Sequence, residues 1–150
     1  MKILNELYLN LKKFSDFDAS PDNPELFLNT VDEIVLQKDP SSIPVLLDYF
    51  DDESEYSWVM ESLMIALENY ENEIYVKTLL KNLNKKSIFW ISGLIFGIFN
   101  NNECFCIFKK DIYLADKTSL LKLFDFMEKE SPRHASLIQQ LCKEIEETQN

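Results

Sequence analysis

Apolar residues recur at steps of three and four along almost the whole chain. In the first segment they are Leu4, Leu7, Leu11 and Phe14. This spacing places them on one face of a helix, because an α-helix completes a turn in about 3.6 residues. No segment alternates apolar and polar residues over a run typical of a half-buried strand. The pattern therefore predicts an all-α fold.

Capping residues and prolines divide the chain into successive helices. Serine, asparagine and aspartate accept hydrogen bonds from the free amides of a first turn, and proline fits the first turn itself. The expected helix starts are at Asn23-Pro24, Asp39-Pro40, Ser54, Asp116 and Ser131-Pro132. Later helices are expected over residues 73–83, 86–100, 103–110, 117–129 and 132–147. The length of 150 residues is typical of one domain, so residues 1–150 are interpreted as a single α-helical unit.

Two helical hairpins resemble each other in sequence. An offset of 32 residues places Trp58 over Trp90 and Leu63 over Ile95. Periods of about 30–47 residues are typical of stacked helical hairpins, whose units bury their apolar faces against each other. The sequence thus predicts a short stack of antiparallel hairpins, either a HEAT-like α-solenoid or an irregular helical bundle. A third hairpin is expected from residue 117 to residue 147.

Glycine is scarce, and both glycines lie in one predicted helix. Two glycines cannot supply a glycine-rich phosphate loop or a Rossmann fingerprint. Gly93 and Gly97 are four residues apart and so share a helix face. An interior glycine costs about 1 kcal/mol relative to alanine, so their retention predicts close packing against a neighbouring helix.

The chain shows no pattern of a signal peptide or of a membrane-spanning segment. Its first ten residues mix Lys2, Asn5 and Glu6 with leucines. The apolar stretch 88–99 contains a serine and two glycines and is shorter than the ~20 residues that span a bilayer. Three cysteines without a CxxC pair are typical of reduced thiols. We therefore expect a cytoplasmic protein without membrane contact.

Motifs for catalysis, metal binding or cofactor binding are incomplete. The single histidine, His134, lies in no HExxH motif or Cys/His cluster, and Cys104 and Cys106 would point to different helix faces. One acidic run starts like a calcium loop but has Pro21 and Phe27 where glycine and glutamate are required. That run comprises Asp16, Asp18, Ser20 and Asp22. The sequence therefore predicts no enzyme, no cofactor and no metal site.

Negative charge is concentrated in one segment. The net charge is −11, and residues 39–76 hold ten of the 26 acidic residues without any lysine or arginine. Such a chain repels a nucleic acid, whereas an uncompensated anionic face attracts a basic protein and can occupy the phosphate positions of a cationic nuclease cleft. The simpler alternative is a solvated face with acids near a helix start. The candidate contact residues are Asp48, Tyr49, Asp51, Asp52, Glu53, Glu55, Tyr56, Glu61 and Glu68.

The same segment carries a family resemblance. It has an acidic turn (Leu47 followed by Asp51-Asp52), a helix with Val59-Met60-x-Ser62-Leu63 and Leu67-Glu68, and a later Trp90 helix ending at Ile98 to Asn100. With these motifs, residues 40–110 resemble the α-helical immunity proteins of bacterial polymorphic-toxin and contact-dependent growth inhibition systems. The similarity is greatest to the Immunity protein 30 type.

The resemblance implies a non-enzymatic inhibitor that binds one cognate toxin in the cytoplasm of the producing cell. The toxin class varies among such systems, and nucleases are common. The acidic segment favours a basic toxin domain, such as a ribonuclease or a deoxyribonuclease. The alternative is a general helical-repeat adaptor for protein–protein interaction, with no toxin partner.

Overall fold

The computed structural model describes residues 3–148, so Met1, Lys2, Gln149 and Asn150 of the predicted single domain lie outside the described residues. Within that range the regular structure is helical throughout, which confirms the all-α prediction. Two short 3₁₀ turns, Ile112–Leu114 and Pro132–His134, accompany the α-helices. The α-helices are α1 Leu4–Phe14, α2 Asn23–Leu36, α3 Ser42–Leu47, α4 Ser57–Leu67, α5 Asn72–Leu80, α6 Phe89–Phe99, α7 Asn102–Asp111, α8 Lys117–Glu130 and α9 Ala135–Thr148.

The helices pack in two rows. In one row α2 packs on α4, α4 on α6 and α6 on α8. In the other, α3 packs on α5 and α5 on α7, while α1 lies against α2 and α9 against α8. Helices that are two apart in the chain are therefore neighbours, which brings the α3–α4 turn beside the start of α6.

The core lies between these rows and is formed by the apolar stripes. The 32-residue offset pairs Val59 with Ile91 and Leu63 with Ile95, and all four side chains are fully buried. The two tryptophans differ, because Trp58 is 49% exposed whereas Trp90 is 9% exposed. The offset therefore aligns core positions correctly, but it does not distinguish a core tryptophan from a surface one.

The predicted helix starts agree with the structure at Asp116 and differ at the other four positions. α3 begins at Ser42, after the N-cap position Ser41, and not at Asp39-Pro40. Ser131 precedes the 3₁₀ turn Pro132–His134, and α9 begins only at Ala135.

The Asp116 side chain caps α8 by accepting a hydrogen bond from the amide of Ser119, as expected. Asn23 is not a cap: its Nδ2 donates to the backbone oxygen of Asp16 at 2.8 Å, and α2 begins after Asp22. Ser54 lies two residues before the N-cap position of α4, where its Oγ accepts from the Tyr56 amide.

The packing prediction for the two glycines is wrong at Gly97. A Cβ placed on Gly93 would lie 3.0 Å from the Met64 Cε atom, so that glycine does accommodate a neighbour. A Cβ on Gly97 would meet no atom within 4 Å. Gly97 is exposed, and its lack of a side chain is not explained by helix packing.

Within residues 3–148 no single helix has both the length and the apolar character that crossing a membrane requires. The segments Phe89–Phe99 and Asn102–Leu114 meet that criterion only when joined across a 112° bend. Over the same described range, no group of three or more His, Cys, Asp or Glu side chains is placed to hold a metal ion.

Candidate partner-binding site

The turn between α3 and α4 is folded by its own polar side chains. Asp51 Oδ1 accepts a hydrogen bond from the Glu53 amide at 2.9 Å. A bond from an aspartate side chain to the amide two residues later forms an Asx-turn, which is common in loops. The backbone oxygen of Asp51 also accepts from Trp90 Nε1 at 3.2 Å. The turn is thereby attached to the first residues of α6.

Asp52 extends from this turn to cap α6. Its carboxylate accepts hydrogen bonds from Ser87 Oγ, from the Ile88 amide at 3.0 Å and from the Phe89 amide at 3.3 Å. Burial alone would raise the pKa of Asp52, but these hydrogen bonds outweigh burial and lower its pKa. Asp52 therefore satisfies amides that would otherwise be free at a helix start, and its carboxylate is already occupied.

Asp48 and Tyr49 lie on the side of the turn that faces the α5–α6 connection. Lys85 Nζ is 2.9 Å from Asp48 Oδ1, in an ion pair whose aspartate side chain is exposed and whose lysine side chain is only 16% exposed. The half-buried Tyr49 ring packs edge-on against Phe27, with centroids 5.5 Å apart. Burial, and then the charge of Asp48, raise the pKa of the Tyr49 hydroxyl. Both residues line a cleft of about 260 Å³ that also includes Lys86, so this side of the turn contains basic residues.

Tyr56 joins the turn to the loop between α1 and α2. Its hydroxyl donates to Asp18 Oδ1 at 2.7 Å, and its ring lies 5.1 Å from that of Phe17. The hydrogen bond to Asp18 raises the pKa of Tyr56, to which burial and the nearby carboxylates of Asp18 and Glu55 add. The aromatic contact and the hydrogen bond bring two acidic loops together.

These two loops enclose a cleft of about 370 Å³, here called the turn cleft. Its lining consists of Ser15, Asp16, Phe17, Asp18, Asp51, Glu53, Ser54, Glu55 and Tyr56. Five of these side chains are carboxylates, and none of the lining residues is lysine or arginine. Glu53 and Glu55 are exposed, and neither has an ion pair or a side-chain hydrogen bond within the described part of the chain.

The sequence prediction of contact residues omitted Asp16 and Asp18. In the sequence these two residues belong to an alternating run of acids that resembles the start of a calcium loop but lacks its glycine and glutamate. In the structure they form a second acidic loop beside the turn. Their proximity to Glu53 and Glu55 arises from helix packing over more than 30 residues of chain. Periodicity alone could not have supplied it.

Glu61 and Glu68 lie apart from the turn cleft. Glu61 lines a groove between α4, α6 and α8. Glu68 follows α4 and lines a cleft of about 240 Å³ with residues of α5, α6 and α7, including Cys104. Both carboxylates are exposed, but the structure distributes them over two further clefts instead of continuing the turn.

The sequence of the chain matches a known protein family. The sequence profile of Immunity protein 30 matches residues 17–108, well over half of the chain. The chain belongs to the Immunity protein 30 family. The match confirms the predicted family and extends it to residue 17, at the loop that contains Asp18. Comparisons with curated proteins and with solved structures returned no match.

Membership of the Immunity protein 30 family makes this an immunity protein and implies a cognate toxin as its partner. All nine predicted contact residues fall inside the matched segment, as does most of the turn cleft. Helices α8 and α9 lie beyond it.

Proposed function

We propose that this immunity protein binds and neutralises a basic toxin domain through the turn cleft. The observation that carries the proposal is the lining of that cleft, in which Asp16, Asp18, Asp51, Glu53 and Glu55 converge without a lysine or arginine. Carboxylates held close together repel one another, and a cationic partner relieves that repulsion. The same field accelerates association with a basic protein at low salt.

A nuclease is the toxin type that this chemistry fits best. Nuclease active sites bind phosphate through lysine, arginine and other cationic groups, so carboxylates spaced along a turn can occupy the same positions. The inhibitor then blocks substrate without any reaction of its own. We propose that this takes place in the cytoplasm of the producing bacterium and protects it from its own toxin, or from toxin delivered by contact-dependent growth inhibition.

The contact residues have different proposed roles. Glu53 and Glu55 pair with toxin lysines or arginines, since their carboxylates have no competing side-chain partner in the described structure. Asp52 holds the turn in place through α6 and is a positioning residue. Tyr49 and Tyr56 supply apolar contact area beside the charges. Asp48, Glu61 and Glu68 lie outside the turn cleft, and Asp48 is paired with Lys85, so we assign none of the three a direct role in that cleft.

The test uses the toxin domain encoded next to the gene, made catalytically inactive so that it can be purified. Affinity and association rate are measured for the wild-type chain and for Glu53→Lys with Glu55→Lys, over a series of salt concentrations. We expect the double charge reversal to weaken binding about 10- to 100-fold, because close charge pairs across an interface contribute on the order of 1.5 kcal/mol or more each. Glu146→Lys is the matched control, since Glu146 is an exposed acid of α9 outside the family match.

Co-expression provides the test of the role itself. The wild-type chain should rescue cells from the active toxin, and the double reversal should rescue them poorly. Unchanged affinity without salt dependence would reject the turn cleft and leave the immunity role intact. Failure of the wild-type chain to bind or rescue would reject that toxin as the partner and favour a general adaptor.

A further inference from the structure

The groove between α4, α6 and α8 has an unusual lining. It measures about 310 Å³, and its walls include the rings of Phe89, Trp90, Phe96 and Phe126. Phe89 is 49% exposed, which is high for a phenylalanine at a helix start. Trp90 connects this groove to the turn, because its indole nitrogen donates to the backbone oxygen of Asp51, a residue of the turn cleft. The groove, here called the aromatic groove, is therefore adjacent to the turn cleft.

Two carboxylates and one hydroxyl in this groove lack partners. Glu61 of α4 and Glu130 of α8 line it, and neither has an ion pair or side-chain hydrogen bond within residues 3–148. Ser92 also lines it and is 1% exposed, yet its Oγ atom has no hydrogen-bond partner among the described residues. A buried polar atom without a partner is destabilising, and such a group in a groove wall indicates a ligand that supplies the missing bond.

The field of one helix end also favours a cation here. Glu130 is the last residue of α8, so the negative end of that helix adds to its charge. The start of α6 would oppose a cation, but the Asp52 carboxylate on its amides offsets the positive end of the helix. The electrostatic sign of the aromatic groove is thus negative at both carboxylate ends.

We infer that the aromatic groove receives an arginine side chain of the toxin, a proposal that rests on the proposed function. The alkyl part of the arginine lies against the rings, the guanidinium stacks on an aromatic face, and its N–H groups donate to Glu61, Glu130 and Ser92 Oγ. A purely apolar side chain would cover the rings but leave both carboxylates desolvated and unpaired. The occupant therefore has to combine an apolar stem with a planar cationic group.

The floor of the groove can adapt to such an occupant. Gly93 has no side chain, and the Met64 methyl group fills the space beside it. A Cβ added to residue 93 would lie 3.0 Å from the Met64 Cε atom. Methionine is unbranched and has three rotatable bonds. Rotation of Met64 deepens the groove beside Ser92 without moving the backbone of α6.

A test that needs no toxin uses small probes with the full chain. N-acetyl-arginine amide is titrated while the backbone amides of Ser92 and Gly93, which line the groove, are followed by ¹H–¹⁵N NMR, with the lysine and norleucine amides as comparison probes. We expect a saturable shift at both groups with the arginine probe, and about tenfold weaker binding in Glu61→Gln with Glu130→Gln, because hydrogen bonds to a charged carboxylate are stronger than those to a neutral amide. Asp32→Asn with Glu33→Gln, which changes two exposed acids of α2 outside both clefts, is the control and should leave the titration unchanged.

Each other result overturns the inference. Equal binding of the norleucine probe would make the groove merely apolar, and tighter binding of the lysine probe would remove the arginine assignment. No localised shift, or a shift unaffected by the two Gln substitutions, would reject the site. The inactive toxin separates this failure from that of the proposed function: if it binds the wild-type chain and the Glu61→Gln, Glu130→Gln variant equally, the immunity role stands and the groove proposal falls.

Discussion

Asp52 and Glu53 are neighbours in one turn, and their carboxylates have different surroundings. Asp52 accepts hydrogen bonds from Ser87 and from two amides of the α6 start. Glu53 is exposed, and no side-chain partner of it occurs in the described structure. A run of acids can thus contain a structural carboxylate beside one that is available to a partner.

Asp52→Ala should lower the free energy of unfolding by about 1–2 kcal/mol, the usual cost of removing a side-chain helix cap. The amides of Ile88 and Phe89 and the Ser87 hydroxyl lose their acceptor. Urea unfolding at neutral pH followed by circular dichroism measures the change. Glu53→Ala is the matched control and should stay within about 0.5 kcal/mol of the wild type. Equal effects of the two substitutions would contradict the capping role.

The stability difference between the wild type and Asp52→Ala should depend on pH. The folded state lowers the pKa of Asp52 below its ordinary value of 3.8, so its stabilising contribution is complete above pH 3.8 and is lost as the pH falls through the lowered value. The difference in unfolding free energy between wild type and Asp52→Ala should therefore be constant from neutral pH to about pH 5 and shrink below pH 4. A difference that grows on acidification would contradict this.

The sequence could not assign these roles residue by residue. Asp52 and Ser87 are 35 positions apart, and an acid in an acidic run carries no sign of such a partner. The prediction placed Asp52 and Glu53 in one contact set because their composition and position are alike. The role of the set in binding stays a prediction.

Helix caps show where sequence reasoning at the scale of elements succeeds. The capping role of Asp116 is predictable because its hydrogen-bond partner, the Ser119 amide, lies only three residues further along the chain. Asn101 caps α7 through the Cys104 amide in the same local manner and was missed among three successive asparagines. Asn23 has the residue type of a cap, but its side chain bonds Asp16 instead. Local bonds are predictable from spacing, whereas competition from a neighbouring loop is not.

Gly97→Ala should stabilise the protein by about 0.5–1 kcal/mol, because alanine has the higher helix propensity. The new methyl group meets no atom within 4 Å. The melting temperature should rise by about 2–4 °C per kcal/mol in a chain of this size, measured by differential scanning calorimetry.

Gly93→Ala is the matched comparison within α6. Its methyl group would lie 3.0 Å from Met64 Cε, so the methionine has to move. We expect a smaller gain than at Gly97. A larger gain at Gly93, or destabilisation at Gly97, would show that the surroundings of the two glycines differ from this description.

At the scale of the whole molecule, the acidic excess opposes folding while it favours a basic partner. The net charge is −11, and among the ion pairs of the described residues Lys77–Glu73 and Lys129–Asp125 lie at the surface. Self-repulsion among like charges destabilises a compact chain, and salt screens that repulsion.

Thermal stability should therefore rise between about 0.01 M and about 0.15 M NaCl, as the screening length falls from about 30 Å to about 8 Å. Glu53→Gln with Glu55→Gln should raise the melting temperature at the lower salt concentration and have less effect at the higher one. Calorimetry at both concentrations measures the four values. A melting temperature that depends neither on salt nor on the two substitutions would mean that the turn carboxylates are already compensated.

The all-α class and the buried positions of the hairpins were predictable because a core stripe is periodic in sequence. Leu63 and Ile95 are both fully buried, as the 32-residue offset implies. The convergence of Asp16 with Glu55, and of Glu61 with Glu130, depends on how rows of helices assemble. That assembly has no periodic signal, and the HEAT-like arrangement of the hairpins stays a prediction.

Under the proposed function, the hydrogen bonds from the α3–α4 turn to α6 make the molecule a bivalent ligand. The Asp51–Trp90 and Asp52–Phe89 bonds fix the distance between turn cleft and aromatic groove. Once a toxin engages one of them, the other meets its target at a high effective concentration, without a linker that has to be ordered first. Removing those hydrogen bonds would leave the turn cleft and the aromatic groove able to bind separately, but it would weaken their joint affinity for the toxin.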